Sequence, residues 1–278
     1  MDIELFIPKS KKLQKYIEFF YILNHSGEEK QNTSYFAFPN INKVVTIIFN
    51  AETIVKSDHQ VIIQHSKNSV IESSLVANLD GPICFQYKGN VREITICFKP
   101  LGLNAFIQNN LDVYGKDVFN KTFIPFPDYK KSMIKILSNK DNKVMATDLE
   151  KYWLSKVKSF DHPFLNEVIA SLINNPEQSI SSLSEKHKIS NKTLIKHFKK
   201  HLCISPSNFR KIVRFRKTLN EKLDTKERLN LTRLSYGANY FDQAHMIHDF
   251  KSLTGLSPKR FFSNLTTLEE NQINWMFI

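Results

Sequence analysis

Two stretches in the last third of the chain, FKKHLCISPSNF at 198–209 and FKSLTGLSPKRF at 250–261, repeat one another at a fixed offset of 52 residues. Phe198 matches Phe250, Lys199 Lys251, Ser205 Ser257, Pro206 Pro258 and Phe209 Phe261. Moving backward at the same offset, Leu194 meets Met246, Ile195 meets Ile247 and Ser190 meets Asp242. Ser and Asp are both strong helix N-caps, so each copy opens a helix at the same place. Each Ser-Pro starts a further helix, because the first helical position needs no amide hydrogen from proline. The segments ahead of the caps correspond as well. Residues 180–187 and 229–238 have amphipathic helical spacing, followed by short turns, Lys188-Ile189 in one copy and Asn239-Tyr240-Phe241 in the other. Helix, tight turn and capped helix, twice over and tied by one long helix at 206–223, make a pair of helix-turn-helix units. Ordinary core helices would not reproduce caps, apolar positions and Ser-Pro starts together.

The charge supports this reading. The 278 residues carry a formal net charge of +12. Residues 1–161 hold 21 Lys+Arg against 17 Asp+Glu, and residues 162–263 hold 18 against 8, so the helical third carries most of the excess. A basic excess confined to one region is the footprint of a module that binds a polyanion.

Ahead of this region the pattern is different. Segments 43–50, 60–65, 70–77, 83–87 and 91–98 are short, rich in Val, Ile, Thr and Phe, and separated by turn signals such as Asp80-Gly81-Pro82 and Gly89-Asn90. They predict a sandwich- or barrel-like β fold. After Pro100, segments 101–111, 129–137 and 144–158 have helical spacing, and from about Phe160 onward every segment reads as helix, Pro163 opening the first. The expected fold class is α+β. A β-rich sensor or dimerisation domain with a helical end spans 1–160. An all-α domain of two helix-turn-helix units joined by a long helix spans 161–263, and a short C-terminal tail spans 264–278. With 22 Phe and 41% hydrophobic residues there is material for real cores, and 7 Gly and 10 Pro exclude collagen-like or linker-like chains.

The segment NYFDQAHMIHDFKSLTGLSPKRF (239–261) resembles the C-terminal signature of the AraC/XylS transcription regulators, and the resemblance extends over about 163–262. Residues 36–125, through FPNINKVVTIIFN and EITICFKPLGLNAFI, are similar to the sensor-like domain that precedes this module in some members. The resemblance implies that each unit sets its second helix in the major groove, and that the β-rich domain binds an effector or dimerises. It also implies activation through RNA polymerase. This chain departs from the family at small positions. Ser184 and Ser235 stand in the first short helices, where the first usually carries Ala. Lys188 and Asn239 replace the turn glycine, and Cys203 stands where the second copy has Gly255. Asn adopts positive φ readily, Lys less so.

A recognition helix reads bases from its first turns. With Leu194 and Phe198 facing inward, Asn191, Lys192, Ile195, Lys196 and Lys199 face out. With Met246 and Phe250 inward, the outward set is Gln243, Ala244, Ile247, His248 and Lys251. The family's base-reading positions fall on Lys192, Ile195 and Lys196, then on Gln243, Ala244 and Ile247 or His248. Gln can pair adenine bidentately, Lys can donate to guanine or phosphate, and an exposed Ile can meet a thymine methyl. Arg210, Lys211, Arg214 and Arg216 on the linking helix either hold phosphates or bond within the domain.

An enzyme would need a nucleophile or a metal site. Cys84 and Cys97 lie on apolar strands as buried thiols, and His245 and His248, three apart on a helix at a spacing that can ligate metal, have no evident Cys or carboxylate partner beyond Asp242 and Asp249. No catalytic residue, cofactor or metal ligand is therefore assigned. The three cysteines form neither a disulfide framework nor a metal motif. The N-terminus does not read as a signal peptide, and no apolar run approaches the roughly 18 residues of a membrane span. A cytoplasmic, one-component regulator of bacterial type is expected. Its partners are double-stranded promoter DNA, RNA polymerase, a small-molecule effector and a second copy of the chain, with no membrane. The rival readings are a helical interaction protein that does not bind DNA and, further off, a small-molecule-binding enzyme.

Overall fold

The computed structural model describes residues 1–27, 33–115, 119–224, 231–238, 240–268 and 273–277. Strands and helices are numbered in chain order. One sheet has the order β1-β2-β9-β4-β7, formed by β1 (Asp2–Phe6), β2 (Ile17–His25), β9 (Val91–Phe98), β4 (Lys43–Phe49) and β7 (Ile71–Val76), antiparallel throughout. The other has the order β10-β11-β3-β8-β6-β5, with β10 (Thr266–Leu268), β11 (Ile273–Phe277), β3 (Thr33–Ala37), β8 (Ile83–Lys88), β6 (Gln60–His65) and β5 (Ala51–Ser57). In this sheet β6 and β8 run parallel. The five strands expected from composition are present with ends moved by a residue or so.

β2 escapes an alternation test because it is buried on both faces. Phe20 and Ile22 join Ile47, Ile94, Phe98, Met133 and Trp153 beneath α3 (Tyr129–Leu137) and α4 (Asn142–Lys156). Phe19, Tyr21 and Leu23 enter a second cluster between the sheets, with Tyr35, Ile63, Tyr87 and Trp275. Continuous apolar sequence is what two-sided burial demands. α1 (Lys11–Gln14) turns the chain from β1 into β2.

The helix expected over 101–111 is not formed. A 3-10 turn at Gly102–Ala105 leads to α2 (Leu111–Tyr114). The reason is a close approach: the Lys99 amide donates to the Tyr16 carbonyl at 2.8 Å, and a Cβ on residue 102 would sit 1.9 Å from that same oxygen. Only glycine fits there, and the chain turns too tightly for an α-helix.

The helical third consists of α5 (Leu165–Asn174), α6 (Ile180–Lys186), α7 (Asn191–Leu202), α8 (Pro206–Asp224), α9 (Leu231–Gly237), α10 (Gln243–Thr254) and α11 (Pro258–Asn264). Leu183, Leu194, Phe198, Phe209, Phe215, Phe250 and Phe261 share its core. Residues 225–230 and Asn239, in the second unit's approach and turn, lie outside the described residues. The segment read as a tail returns to the β-rich part of the chain: Met276 pairs with Phe36 and Phe277 with Tyr35, and the Trp275 ring stacks on Tyr35 at 3.8 Å. Three further joints connect the helical third to the sheets. Arg216 donates to the Phe38 and Pro39 carbonyls at 2.7 and 2.8 Å, Asn104 Nδ2 donates to the His201 carbonyl at 3.0 Å, and α2 packs on α7. Lys43 is fully buried at this junction. Among the described residues its Nζ has no hydrogen-bond partner, and burial pushes its pKa down to about 8.

Candidate nucleic-acid interface

The repeat in the sequence is a repeat in hydrogen bonds. Ser190 caps α7 by accepting the Thr193 amide at 3.1 Å, and Asp242 caps α10 by accepting the His245 amide at 2.7 Å. Each helix ends on a residue in the left-handed region. Cys203 has φ 56° and its amide donates to the Lys199 carbonyl; Gly255 has φ 72° and donates to the Lys251 carbonyl. The Phe209 and Phe261 amides then bond to the Ser205 and Ser257 carbonyls at 2.9 Å each, so the two Ser-Pro starts share their backbone bond, while only the Ser205 hydroxyl also caps its helix, accepting the Asn208 amide at 3.2 Å.

The first helices of the units match too, at an offset one residue shorter because the second turn is one residue longer. The Ile189 amide bonds to the Ser184 carbonyl at 3.0 Å, and Tyr240 to Ser235 at 2.9 Å. Both serines are buried, so the small side chain allows the two helices of each unit to approach. Lys188, standing where glycine is usual, is held at φ 54°.

These joints orient the outward faces. On α7, Asn191, Lys192, Ile195, Lys196 and Lys199 are exposed, Ile195 at 38% despite being aliphatic. Asn191 Nδ2 donates to Ser181 Oγ at 3.0 Å, which ties it to α6. On α10, Ala244, His248 and Lys251 are exposed, and Gln243 and Ile247 are half-buried. Sequence reasoning missed two aromatics beside the second unit: Phe241, directly before the Asp242 cap, is 84% exposed, and Tyr236 on α9 is 68% exposed. A bulky aromatic bare to solvent next to a helix cap was legible as an oddity in the Tyr-Phe-Asp sequence.

Four basic residues of α8, Arg210, Lys211, Arg214 and Arg216, bond inside the protein. Arg214 is buried. It donates to Asp249 Oδ2 at 2.9 Å and Glu177 Oε1 at 3.2 Å, and it lies over the Tyr240 ring. Arg210 Nε donates to the Pro176 carbonyl, and Lys211 Nζ meets Ser252 Oγ at 3.2 Å. Arg216 points to the β-rich part of the chain, and burial lowers its pKa to about 10. Through these contacts the helix is fastened to α10, to the segment before α6 and to the β-rich part of the chain.

Between the sheets, Tyr21, Tyr35, Tyr87, Glu93, Thr95 and Arg216 contribute to the lining of a cavity of about 130 Å³. The Glu93 carboxylate accepts from Tyr87 Oη at 2.6 Å and Thr95 Oγ1 at 2.7 Å, and burial raises its pKa. His245 and His248 both approach Asp249, at 3.7 and 3.8 Å, but through its two different oxygens, and that carboxylate is already bonded to Arg214, so the pair forms no converging ligand set. Three other histidines do come together, His162, His197 and His201, one ring nitrogen of each lying within 4.8 Å of the other two. The spacing of His197 and His201 on α7 was readable; the arrival of His162 from the preceding segment was not.

The family comparison agrees with the helix-turn-helix geometry. Residues 183–264 match the family model described as a helix-turn-helix domain. That stretch takes in most of α6 and all of α7 to α11, and so spans both units. No curated protein matches the chain. Among solved structures, ToxT from Vibrio cholerae aligns over 88% of this chain and 97% of its own, at 10% identity and TM-score 0.47. A ToxT structure described as bound to an unsaturated fatty acid aligns at 11% identity and TM-score 0.45, covering 87% and 94% of the two chains. Among the described residues no helix is long and apolar enough to cross a membrane.

Proposed function

We propose that this chain is a sequence-specific, DNA-binding transcription regulator that reads two neighbouring major-groove half-sites, one with α7 and one with α10. The observation that carries the reading is the duplicated unit: two recognition helices with matched caps and matched C-terminal turns, each turning a face of basic, amide and aliphatic residues to solvent. Lys192, Ile195 and Lys196 read the first half-site, and Gln243, Ala244, Ile247 and His248 the second. Asn191, Lys199 and Lys251 support them at the edges of the faces. Phe241 and Tyr236 lie against sugar and phosphate beside the second helix. Because the two faces differ, the site is asymmetric.

Residues 1–160 act as the sensing part and 161–263 as the reading part. The cavity between the sheets receives a small effector, and Arg216, which lines it from α8, couples occupancy to the reading helices. The regulator activates transcription through RNA polymerase. Selection of bound fragments from the parent genome, followed by gel shift at graded salt, tests the reading. A recurrent asymmetric sequence is expected, with a salt slope that grows by roughly 0.9 per phosphate neutralised. Fragments without a shared sequence, or binding without salt dependence, would contradict it.

A further inference from the structure

The three-histidine cluster has the chemistry of a ligand set. His197 and His201 lie one helical turn apart on one side of α7, and His162 stands in the segment before α5, its Nε2 2.9 Å from His197 Nδ1. Imidazole nitrogens bind Zn²⁺ at about 2.0–2.1 Å, so tetrahedral coordination needs nitrogens about 3.3 Å apart. The observed spread of up to 4.8 Å closes to that with small ring rotations.

At His201 the surroundings already select a protonation state. Asn104 Nδ2 donates to the carbonyls of His201 and Leu101, at 3.0 and 3.3 Å, which fixes the amide with Oδ1 toward the His201 ring. His201 Nδ1, 3.3 Å from that oxygen, must therefore carry the proton, leaving a lone pair on Nε2. A metal-ligating imidazole whose other nitrogen donates to an amide or carboxyl oxygen is held in the orientation and tautomer that the metal requires. Burial lowers the pKa of all three rings, so they are neutral at pH 7. His162 is the ring that must adjust. Its Nδ1 now accepts the Leu165 and Phe164 amides at 3.2 and 3.4 Å, and its Nε2 proton is shared with His197. Metal at Nε2 moves that proton to Nδ1 at the expense of two long hydrogen bonds. The charged groups acting on the cluster are Lys196 and Lys200 on α7, Asp161 beside His162, and Asp112 on α2. At each ring the lysines outweigh the carboxylates, so metal binding works against a modest positive field that Asp161 and Asp112 offset only in part. His162 and His201 are buried and His197 is half-buried, which leaves one side open for entry and for a fourth ligand, a water.

We propose that His162, His197 and His201 form a binding site for a borderline divalent transition metal of the Zn²⁺, Co²⁺ or Ni²⁺ type, which clamps α7 to the segment leading into α5. The site joins α7, the connecting segment and, through Asn104, the β-rich part of the chain. Metal loading would therefore fix the first unit against the rest of the molecule.

The test uses the full-length, tag-free chain stripped with chelator and titrated with Co²⁺ and Zn²⁺. Visible d–d absorption of four-coordinate Co²⁺ is expected to saturate at one metal per chain, and Zn²⁺ to raise the melting midpoint by several degrees, since only the folded chain presents the site. His197→Ala removes both effects, and His59→Ala, at an exposed histidine elsewhere, keeps both. In case the His197 variant fails to fold, X-ray absorption at the zinc edge of the unmodified protein gives the ligand set directly: imidazole nitrogens near 2.0 Å and no sulfur. Sulfur ligation, binding that does not saturate, or equal binding by a folded His197→Ala protein would overturn the proposal.

Discussion

Replacing Arg214 with Met tests the account of the linking helix. Arg214 and Asp249 are both buried, at 7% and 2% exposure, and their 2.9 Å bond ties α8 to α10. Removing one member of a buried pair leaves the other charge desolvated without its partner, which costs about 3–5 kcal/mol. Glu177, whose side chain is 42% exposed, can turn to water, so its lost contact adds little. Arg214→Met should therefore destabilise the chain by about 3–5 kcal/mol in urea unfolding followed by helical circular dichroism. The double variant Arg214→Met with Asp249→Leu should recover at least half of that loss, because it removes the stranded carboxylate as well. Since Arg214 is turned inward, the salt slope of DNA binding should not change in any variant that stays folded. A loss below about 1 kcal/mol, or no recovery in the double variant, would refute the reasoning and return Arg214 to the DNA surface.

Lys188 is held at φ 54°. A left-handed conformation costs an L-residue about 1–2 kcal/mol, part of which glycine's looser unfolded state offsets, so Lys188→Gly should be more stable than Lys188→Ala by about 0.5–1 kcal/mol in the same unfolding assay. The buried Lys43 amine has its pKa lowered from 10.5 to about 8, so below pH 8 the fold carries the whole cost of a buried charge, and between pH 8 and 10.5 the folded chain sheds the proton first and the cost fades. Lys43→Met should thus stabilise the chain by roughly 3 kcal/mol at pH 7, and by much less at pH 10, in melts at the two pH values. Lys192→Gln with Lys196→Gln should lower the salt slope of DNA binding by up to about 1.8, whereas Ile195→Ala should lose affinity at a thymine position and leave the slope alone.

The helical third was legible because its signals are local. Ser190, Asp242 and the two Ser-Pro pairs act within one turn of themselves, and the repeat displays them twice. Cys203 was readable as the counterpart of Gly255, and the structure puts both at positive φ. What the sequence hid depends on distant partners. β2 gives no alternation because sheets and helices cover both its faces. The failed helix at 101–111 is set by the backbone of Tyr16, some 85 residues away. Residues 273–277 become a strand because they pair with β10 on one side and with Phe36 and Tyr35 of β3, far away in the sequence, on the other. The candidate site divides the same way: the faces of α7 and α10 follow from helical periodicity, but the inward turn of Arg210, Arg214 and Arg216 depends on partners at 177, 249, 176 and 38–39.

The central claim, that both units read DNA together, is tested most directly by a spacing experiment on the selected site. Recognition helices in successive major grooves on one side of the duplex place their half-sites about one helical turn, roughly 34 Å, apart. Inserting about half a turn of DNA between the half-sites carries one groove to the opposite side, where α8 cannot bring the second unit. The affinity of the full chain, measured by gel shift at fixed salt, should then fall to the level of unrelated DNA, and a full-turn insertion should not restore it. Unchanged affinity after the half-turn insertion would contradict the account and leave one unit as the sole reader of DNA.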